Sequence, residues 1–498
     1  MLAKGSAASP TAGCSSGSGF RYQRREPEKT PLYRIVREHL ASFIAEAAER
    51  YPSGDLPTFV RREFERYLRC GLLCHGFARL RCITCSDELL VAFSCKNRGV
   101  CPSCAARRMA DTAAHLRDHV LPAVPMRQWV LTLPKRLRFL LAWRPTLISL
   151  TLKLFLRVLF AWQRRCARRQ GVKNPLCGAV TCIQRFGSSL NLNLHFHTLV
   201  PDGVFFEDAH GVVQFHPLAP PMVAELDKLL RKLLPRLLRK LAVELENPEP
   251  SDWMQLLADA LQTSTSGPPR SDPPRGLCVL MEGFSLHAGV AVDKADRDTL
   301  ERLARYCARP PLALRRLSLA PDGQVLYRVK HAAPGGPRVL RLSPTQFLGK
   351  LAALVPPPRA HLVRFHGVFG PNSQHRARLV PKAPPLLAPR NSAPPHDPSR
   401  ADTPPPPKPV GCGHRLDWAS LLHRVFAIDV LHCEHCGGRR QLVALLTQAD
   451  VAPKALARLG LPTQAPAPSP ARAPPPAAES IGWRDQDAID PIPPSWYD

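Results

Sequence analysis

Apolar positions recur at near-helical spacing from Pro31 to Leu73, with Tyr33, Ile35, Val36 and Leu40 in one stripe and Val60, Phe64, Tyr67 and Leu68 in another. A mostly helical, basic stretch is expected from about 105 to 170. Its leucine-rich part, 137–162, has the length of a membrane span, but Arg138, Arg144, Lys153 and Arg157 interrupt it. A bilayer core penalises such charges, so the pattern reads as a basic helix outside any membrane. Residues 176–206 turn strand-like, with Pro201-Asp202-Gly203 as a turn between two apolar runs. A second basic helix follows over 221–246, which Pro235 should kink or split. Leu277–Val292 reads as a strand, and Asp298 with Glu301 has capping-box spacing for a helix that ends before Pro310-Pro311. Short strands and one helix near 344–354 are expected in 313–370.

Composition divides this pattern into units. The 55 prolines cluster at 266–275, 383–410 and 464–477, which read as loops or linkers that need no packed core. Residues 1–30, rich in Gly, Ser and charge, read as disordered and contain no apolar run of the secretory kind. A cytoplasmic location is therefore expected, and in a reducing compartment the 16 cysteines read as metal ligands or free thiols. Lys and Arg outnumber Asp and Glu by 68 to 40, a formal net charge of +28 that calls for a polyanionic partner.

Cysteine spacing supplies the first chemistry. Cys82-x2-Cys85 and Cys101-x2-Cys104 are two knuckles separated by fifteen residues, the arrangement that completes one tetrahedral, structural zinc site. Cys70, Cys74, His75 and Cys95 lie close enough to replace a ligand or to hold a second ion. Arg79, Arg81, Lys96, Arg98, Arg107 and Arg108 surround the knuckles and suit a phosphate-facing module. Cys433-x2-Cys436 is half a site, which Cys412 with His414, or His432 and His435, would complete.

A second candidate lies in Leu192-Asn-Leu-His-Phe-His-Thr-Leu-Val200, which alternates cleanly. Leu192, Leu194, Phe196, Thr198 and Val200 share one face, and Asn193, His195, His197 and Leu199 share the other. Strand rise sets the two imidazoles about 7 Å apart, close enough to grip one divalent cation with a third ligand from elsewhere. Pairing of Ala179–Phe186 with this strand, Phe186 opposite Asn191, would put Gln184 on the histidine face as that third ligand. A slip of one residue would move it to the other face.

Taken with Phe93-Ser-Cys-Lys-Asn-Arg-Gly-Val-Cys-Pro-Ser-Cys104, Arg127-Gln-Trp-Val-Leu-Thr-Leu-Pro134, Gln184-Arg-Phe-Gly-Ser-Ser-Leu-Asn-Leu-Asn-Leu-His-Phe-His197, Arg305-Tyr-Cys-Ala-Arg-Pro-Pro311 and His361-Leu-Val-Arg-Phe-His-Gly-Val368, these residues resemble the IS91-type transposases of bacterial insertion sequences. That family belongs to the HUH endonucleases, and the resemblance runs from roughly Phe64 to Pro381. It implies single-strand DNA cleavage and rejoining through a covalent 5′-phosphotyrosine, in rolling-circle-like transposition. By the same resemblance His195 and His197 bind Mg²⁺ or Mn²⁺, and Tyr306 is the nucleophile. Single-stranded element ends and the target DNA are the implied partners. Among the seven tyrosines, Tyr22, Tyr33, Tyr51, Tyr67, Tyr306, Tyr327 and Tyr497, only Tyr306 and Tyr327 share a region with the histidines. On a helix Tyr306 would flank the stripe Leu300, Leu303, Ala304 and Cys307, where a side chain can face a groove. Some relatives carry two tyrosines four residues apart, whereas this chain has Arg302 and Pro310 at those offsets and reads as a single-tyrosine version.

The expected fold is α+β: a helical zinc-binding module over 31–125, then a domain over 126–381 on a central antiparallel sheet. A linker at 382–410, a small cysteine module at 411–460 and a disordered tail at 461–498 complete the expected order. Competing readings are a zinc-containing DNA-binding protein without catalysis, a metallohydrolase that cleaves without an adduct, and an inactive transposase copy.

Overall fold

The structure is a computed structural model describing residues 24–50, 56–245, 276–330, 338–379, 419–420, 423, 429–448 and 450–472. Helices α1 (Pro31–Arg50) and α2 (Thr58–Arg69) occupy the two N-terminal helical stripes. In α2 the buried Val60, Phe64 and Tyr67 fall at i, i+4 and i+7 between arginines and glutamates, so one face goes inward. Strands β1 (Phe77–Cys82) and β2 (Glu88–Ala92) then form an antiparallel hairpin, followed by α3 (Pro102–His119) with proline in its first turn.

Next come β3 (Met126–Thr132), α4 (Lys135–Trp143), α5 (Pro145–Arg169), β4 (Gly178–Phe186), β5 (Leu192–Pro201), β6 (Gly203–Glu207), β7 (Val213–Pro217) and α6 (Val223–Leu245). Then follow β8 (Cys278–Met281), β9 (Phe284–Val292), α7 (Arg297–Cys307), β10 (Leu317–Leu319), β11 (Val325–Arg328), β12 (Val339–Leu342), α8 (Pro344–Leu354), β13 (Val363–Gly367), α9 (Arg376–Leu379), β14 (Arg440–Leu446) and α10 (Val451–Arg458). Six strands make the central sheet in the order β13-β4-β5-β3-β9-β8, and every neighbouring pair is antiparallel. Its two faces are covered by different layers. Trp129, Leu131, Ile183, Leu194 and Phe196 pack under α4, α5 and α6, and Val180, Cys182 and Leu199 pack under α3 and α7. All ten residues of β5 are consequently buried.

Several expectations are corrected here. The stretch read as mostly helical from 105 to 170 is built mainly of α3, α4 and α5, and the correction there is β3, an unexpected strand that joins the histidine strand to β9. Leu277–Val292 is a hairpin, turning through Glu282 and Gly283, both at positive φ (50° and 78°). Helix α7 is capped by Asp296, whose side chain accepts from Thr299 N at 2.8 Å; Glu301 instead pairs with Arg117 and Arg305. Pro235 lies inside an unsplit α6. Helix α5 is long and apolar enough to cross a membrane, but its apolar side is the cover of the sheet.

Two long returns of the chain cross the expected divisions. Strands β10, β11 and β12 with α8 share one core with α1 and α2, through Leu317, Tyr327, Phe347 and Leu351 against Tyr33, Phe43 and Phe64. Strand β14 pairs antiparallel with β1, giving a sheet β14-β1-β2, so the described part of the expected C-terminal module is built into the N-terminal unit. The tail expected to be disordered from 461 is described as far as 472. It runs along α1, with Ser469 N donating to Arg37 O at 3.0 Å and Arg472 N to Ser42 Oγ at 2.9 Å. The proline-rich stretches 266–275 and 383–410, and residues 1–23, lie outside the described residues.

Candidate active site and metal centres

On the α3–α7 face, β5 sits between β4 and β3, and two rows of side chains cross all three strands. Gln184, His195 and Thr132 stand in one row, with Cys182, His197 and Val130 in the next. The register differs from the expected one: a bulge between Gln184 and Phe186 sets Phe186 opposite Leu192 and Gln184 opposite His195. Gln184 nevertheless keeps the histidine face. The imidazole centroids are 4.8 Å apart, closer than strand rise alone predicts, because the rings lean together at 64°.

Both imidazoles are buried, which pushes His195 down to about 3 and His197 well below the ordinary histidine range. They are neutral at pH 7 and keep a lone pair each. His195 Nδ1 lies 2.8 Å from Asn193 O and must donate to it, which leaves the lone pair on Nε2. His197 Nδ1 contacts Gln128 Nε2 at 3.0 Å, while His197 Nε2 is buried without a hydrogen-bond partner. A half-turn of the Gln128 amide would let its oxygen accept Nδ1–H and free Nε2 as a ligand. Gln184 Oε1, Asn193 Oδ1 and Thr132 Oγ1 are also buried and unpartnered among the described residues. Orphaned acceptors beside two neutral imidazoles are costly in an apolar core and fit a divalent cation.

The tyrosine arrives on α7. Gln184 Nε2 donates to Tyr306 O and Cys307 O, at 3.0 and 2.9 Å, satisfying carbonyls at the open end of that helix. Tyr306 is half-buried, and its ring stands perpendicular to His197 with centroids 5.5 Å apart. Arg309 lies over the Tyr306 ring at 4.9 Å and over Phe186 at 5.3 Å. Tyr327 is buried in the α1–α8 core, and Tyr33 and Tyr67 belong to that core too, so among the described tyrosines only Tyr306 meets a histidine. Cys307 is no rival nucleophile, since burial pushes its thiol up to about 12.

The cysteines are distributed differently from the expected single site. Cys101 and Cys104 converge with Cys70 and Cys95, and Cys82 and Cys85 converge with Cys433 and Cys436. In each group the ligand atoms lie within 4.8 Å of one another. Cys74, His75, His432 and His435 take no part in either group, and Cys412 and His414 lie outside the described residues. The first group is tied to the candidate site by α3, whose N-cap is Cys101 and whose far end holds α7 through Arg117 to Glu301 at 2.9 Å. Of the cations expected to face phosphate, Arg79 is paired with Glu88 at 2.6 Å. Arg98 donates to Ala360 O and Pro357 O, joining the cysteine loop to the segment after α8.

Three comparisons bear on identity. Residues 35–133 match the family model "Transposase zinc-binding domain" of IS91 transposases, and residues 178–377 match the model described as "Putative transposase". Comparison with curated proteins and with solved structures gives no match. The first matched span holds the cluster of Cys70, Cys95, Cys101 and Cys104, and the second holds His195, His197 and Tyr306. With the zinc-binding and transposase segments following one another in this order, the chain belongs to the IS91 family of insertion-sequence transposases.

Proposed function

We propose that this transposase cuts and rejoins single DNA strands with Tyr306 as nucleophile, as HUH endonucleases do. The observation that carries the reading is the convergence of Tyr306, His195, His197 and Gln184 from three elements on one buried face. A divalent cation, Mg²⁺ or Mn²⁺, held by His195, His197 and Gln184 would polarise the scissile phosphate as a Lewis acid. The Tyr306 phenol gives its proton to water and its oxygen bonds to phosphorus. The bond from phosphorus to the 3′ oxygen breaks, and that oxygen takes up a proton. The product is a 5′-phosphotyrosine and a free 3′ hydroxyl. Rejoining reverses these changes with a new 3′ hydroxyl, so the phosphoester energy is retained and no nucleotide is consumed. Arg309, stacked on Tyr306 and Phe186, is placed to meet the phosphate beside the nucleophile.

Incubation with single-stranded element ends and Mg²⁺, followed by denaturing electrophoresis, tests this. Wild type should form a DNA adduct that peptide mapping assigns to Tyr306. Tyr306→Phe keeps the ring against His197 and should bind DNA yet form no adduct. An adduct on Tyr327, or cleavage by wild type without any adduct, would reject the assignment.

A further inference from the structure

Cys82 and Cys85 are 354 and 348 residues from their partners Cys436 and Cys433, yet the two pairs are built alike. Each knuckle turns a backbone N–H onto one of its sulfurs, Thr84 N onto the first cysteine's Cys82 Sγ and Gly438 N onto the second cysteine's Cys436 Sγ, both at 3.4 Å, and the correspondence between the turns lies in their backbone. Ser86 N donates to Cys82 O at 3.1 Å, matched by Gly437 N to Cys433 O at 2.8 Å. Cys82 N donates to Asp87 O at 2.8 Å, matched by Cys433 N to Gly438 O at 2.7 Å. The residue after the second cysteine has positive φ in both, 60° at Ser86 and 72° at Gly437. Two turns so similar, facing each other, present four thiols to one point. Across the pair, Cys82 Sγ lies 3.5 Å from Cys436 Sγ and Cys85 Sγ lies 3.6 Å from Cys433 Sγ. Those separations are far too long for a disulfide. They approach the edge of about 3.8 Å that a zinc tetrathiolate with bonds of about 2.3 Å requires.

We infer that Cys82, Cys85, Cys433 and Cys436 bind a second structural zinc ion that clamps the C-terminal return onto the N-terminal unit. It is separate from the group of Cys70, Cys95, Cys101 and Cys104, and half its ligands lie beyond both matched segments. The surroundings suit the charge. Four thiolates around Zn²⁺ carry two net negative charges, and the buried Arg440 offsets the further charge of Asp87, whose Oδ2 lies 3.7 Å from Cys433 Sγ, by donating to that oxygen at 2.6 Å and to His432 O at 2.7 Å. The clamp also explains a strand pairing that crosses the whole chain. Strand β14 follows Cys436 directly, and zinc fixes its start at Arg440 opposite Cys82. Ala452 and Leu456 of α10 then close over Phe77. The catalytic segment is thus an insertion between the two halves of one metal site, and a chain that stops before Cys433 cannot complete it.

The test is metal content of the full-length protein by elemental analysis and native mass spectrometry. Wild type should carry two zinc ions per chain, and Cys433→Ser/Cys436→Ser should carry one. Cys436→His, which keeps four ligands, should restore two. Hydrogen exchange supplies an independent readout: amides of β14 should exchange at least tenfold faster in the double serine variant, whereas those of α3 beside the first cluster should not change. A wild type with one zinc, or a double serine variant that retains two, would overturn the inference.

Discussion

At the scale of single residues, the candidate active site includes a side chain that nothing local in the sequence marks. His195 and His197 are legible from their alternation, and Tyr306 from its helix flank and its motif. Gln128, in contrast, meets His197 only because β3 lies beside β5, although the two residues are 69 positions apart in sequence. It contacts His197 Nδ1 at 3.0 Å and Cys307 Sγ at 3.1 Å, so it fixes both the ring and the last turn of the tyrosine helix. Gln128→Leu keeps the volume and removes that hold. Mn²⁺ affinity should fall about 10- to 100-fold, the usual cost of losing a partner behind a metal-bound histidine. Titration with Mn²⁺ measures it, and an unchanged affinity would remove Gln128 from the site. His195→Ala and His197→Ala should abolish metal-dependent nicking while leaving most salt-sensitive DNA binding, which comes from Lys and Arg. Nicking at the wild-type rate by both variants would mean that the cation is held elsewhere.

At the scale of elements, α7 joins the parts of the site. Its N-terminus is capped by Asp296, its middle is tied to α3 by Glu301, and its last carbonyls are taken by Gln184. Glu301 is 6 % exposed and pairs with Arg117 at 2.9 Å and Arg305 at 2.7 Å. Both arginines keep contact with solvent, so the loss in Glu301→Ala is moderated to about 2 kcal/mol, below that of a fully buried pair. The same change frees α7 from α3, and a displacement of about 1 Å at Tyr306 should slow cleavage at least tenfold. Asp298, exposed on the same helix, pairs with Arg117 at 3.0 Å, and Asp298→Ala should stay within about 0.5 kcal/mol of wild type with normal cleavage. Urea unfolding and single-turnover cleavage separate the two, and equal behaviour would show that the α3–α7 joint does not position the tyrosine. The helix was legible from its stripe, whereas β3 was not. Met126–Thr132 is buried on both faces, so it lacks the period of two, and Arg127 and Gln128 look like exposed helix positions. Arg127 is in fact held inside by Asp202 at 2.8 Å.

At the scale of the whole molecule, the sequence exposes the parts and hides how they close. The CxxC spacings mark candidate metal ligands, but spacing cannot say which pairs meet; Cys85 finds Cys433 because β14 comes back to β1. The positive charge was equally legible, and its division between two sides was not. Arg107 and Arg108 are exposed on α3, on the side of the sheet that holds Tyr306. Arg164, Arg165, Arg168 and Arg169 line an open hollow of about 640 Å³ at the end of α5, on the side away from it. A strand of about ten nucleotides matches the length that a single-strand binding groove takes up. For such a strand, Arg107→Ala/Arg108→Ala should reduce the slope of log K against log salt by about 1.4, roughly 0.7 for each phosphate that is no longer neutralised. Alanine at the four α5 positions should leave that slope unchanged and weaken only longer DNA. Binding isotherms across a salt series decide between them. If the short strand instead loses its salt dependence with the α5 variant, the single strand does not enter beside Tyr306 along α3.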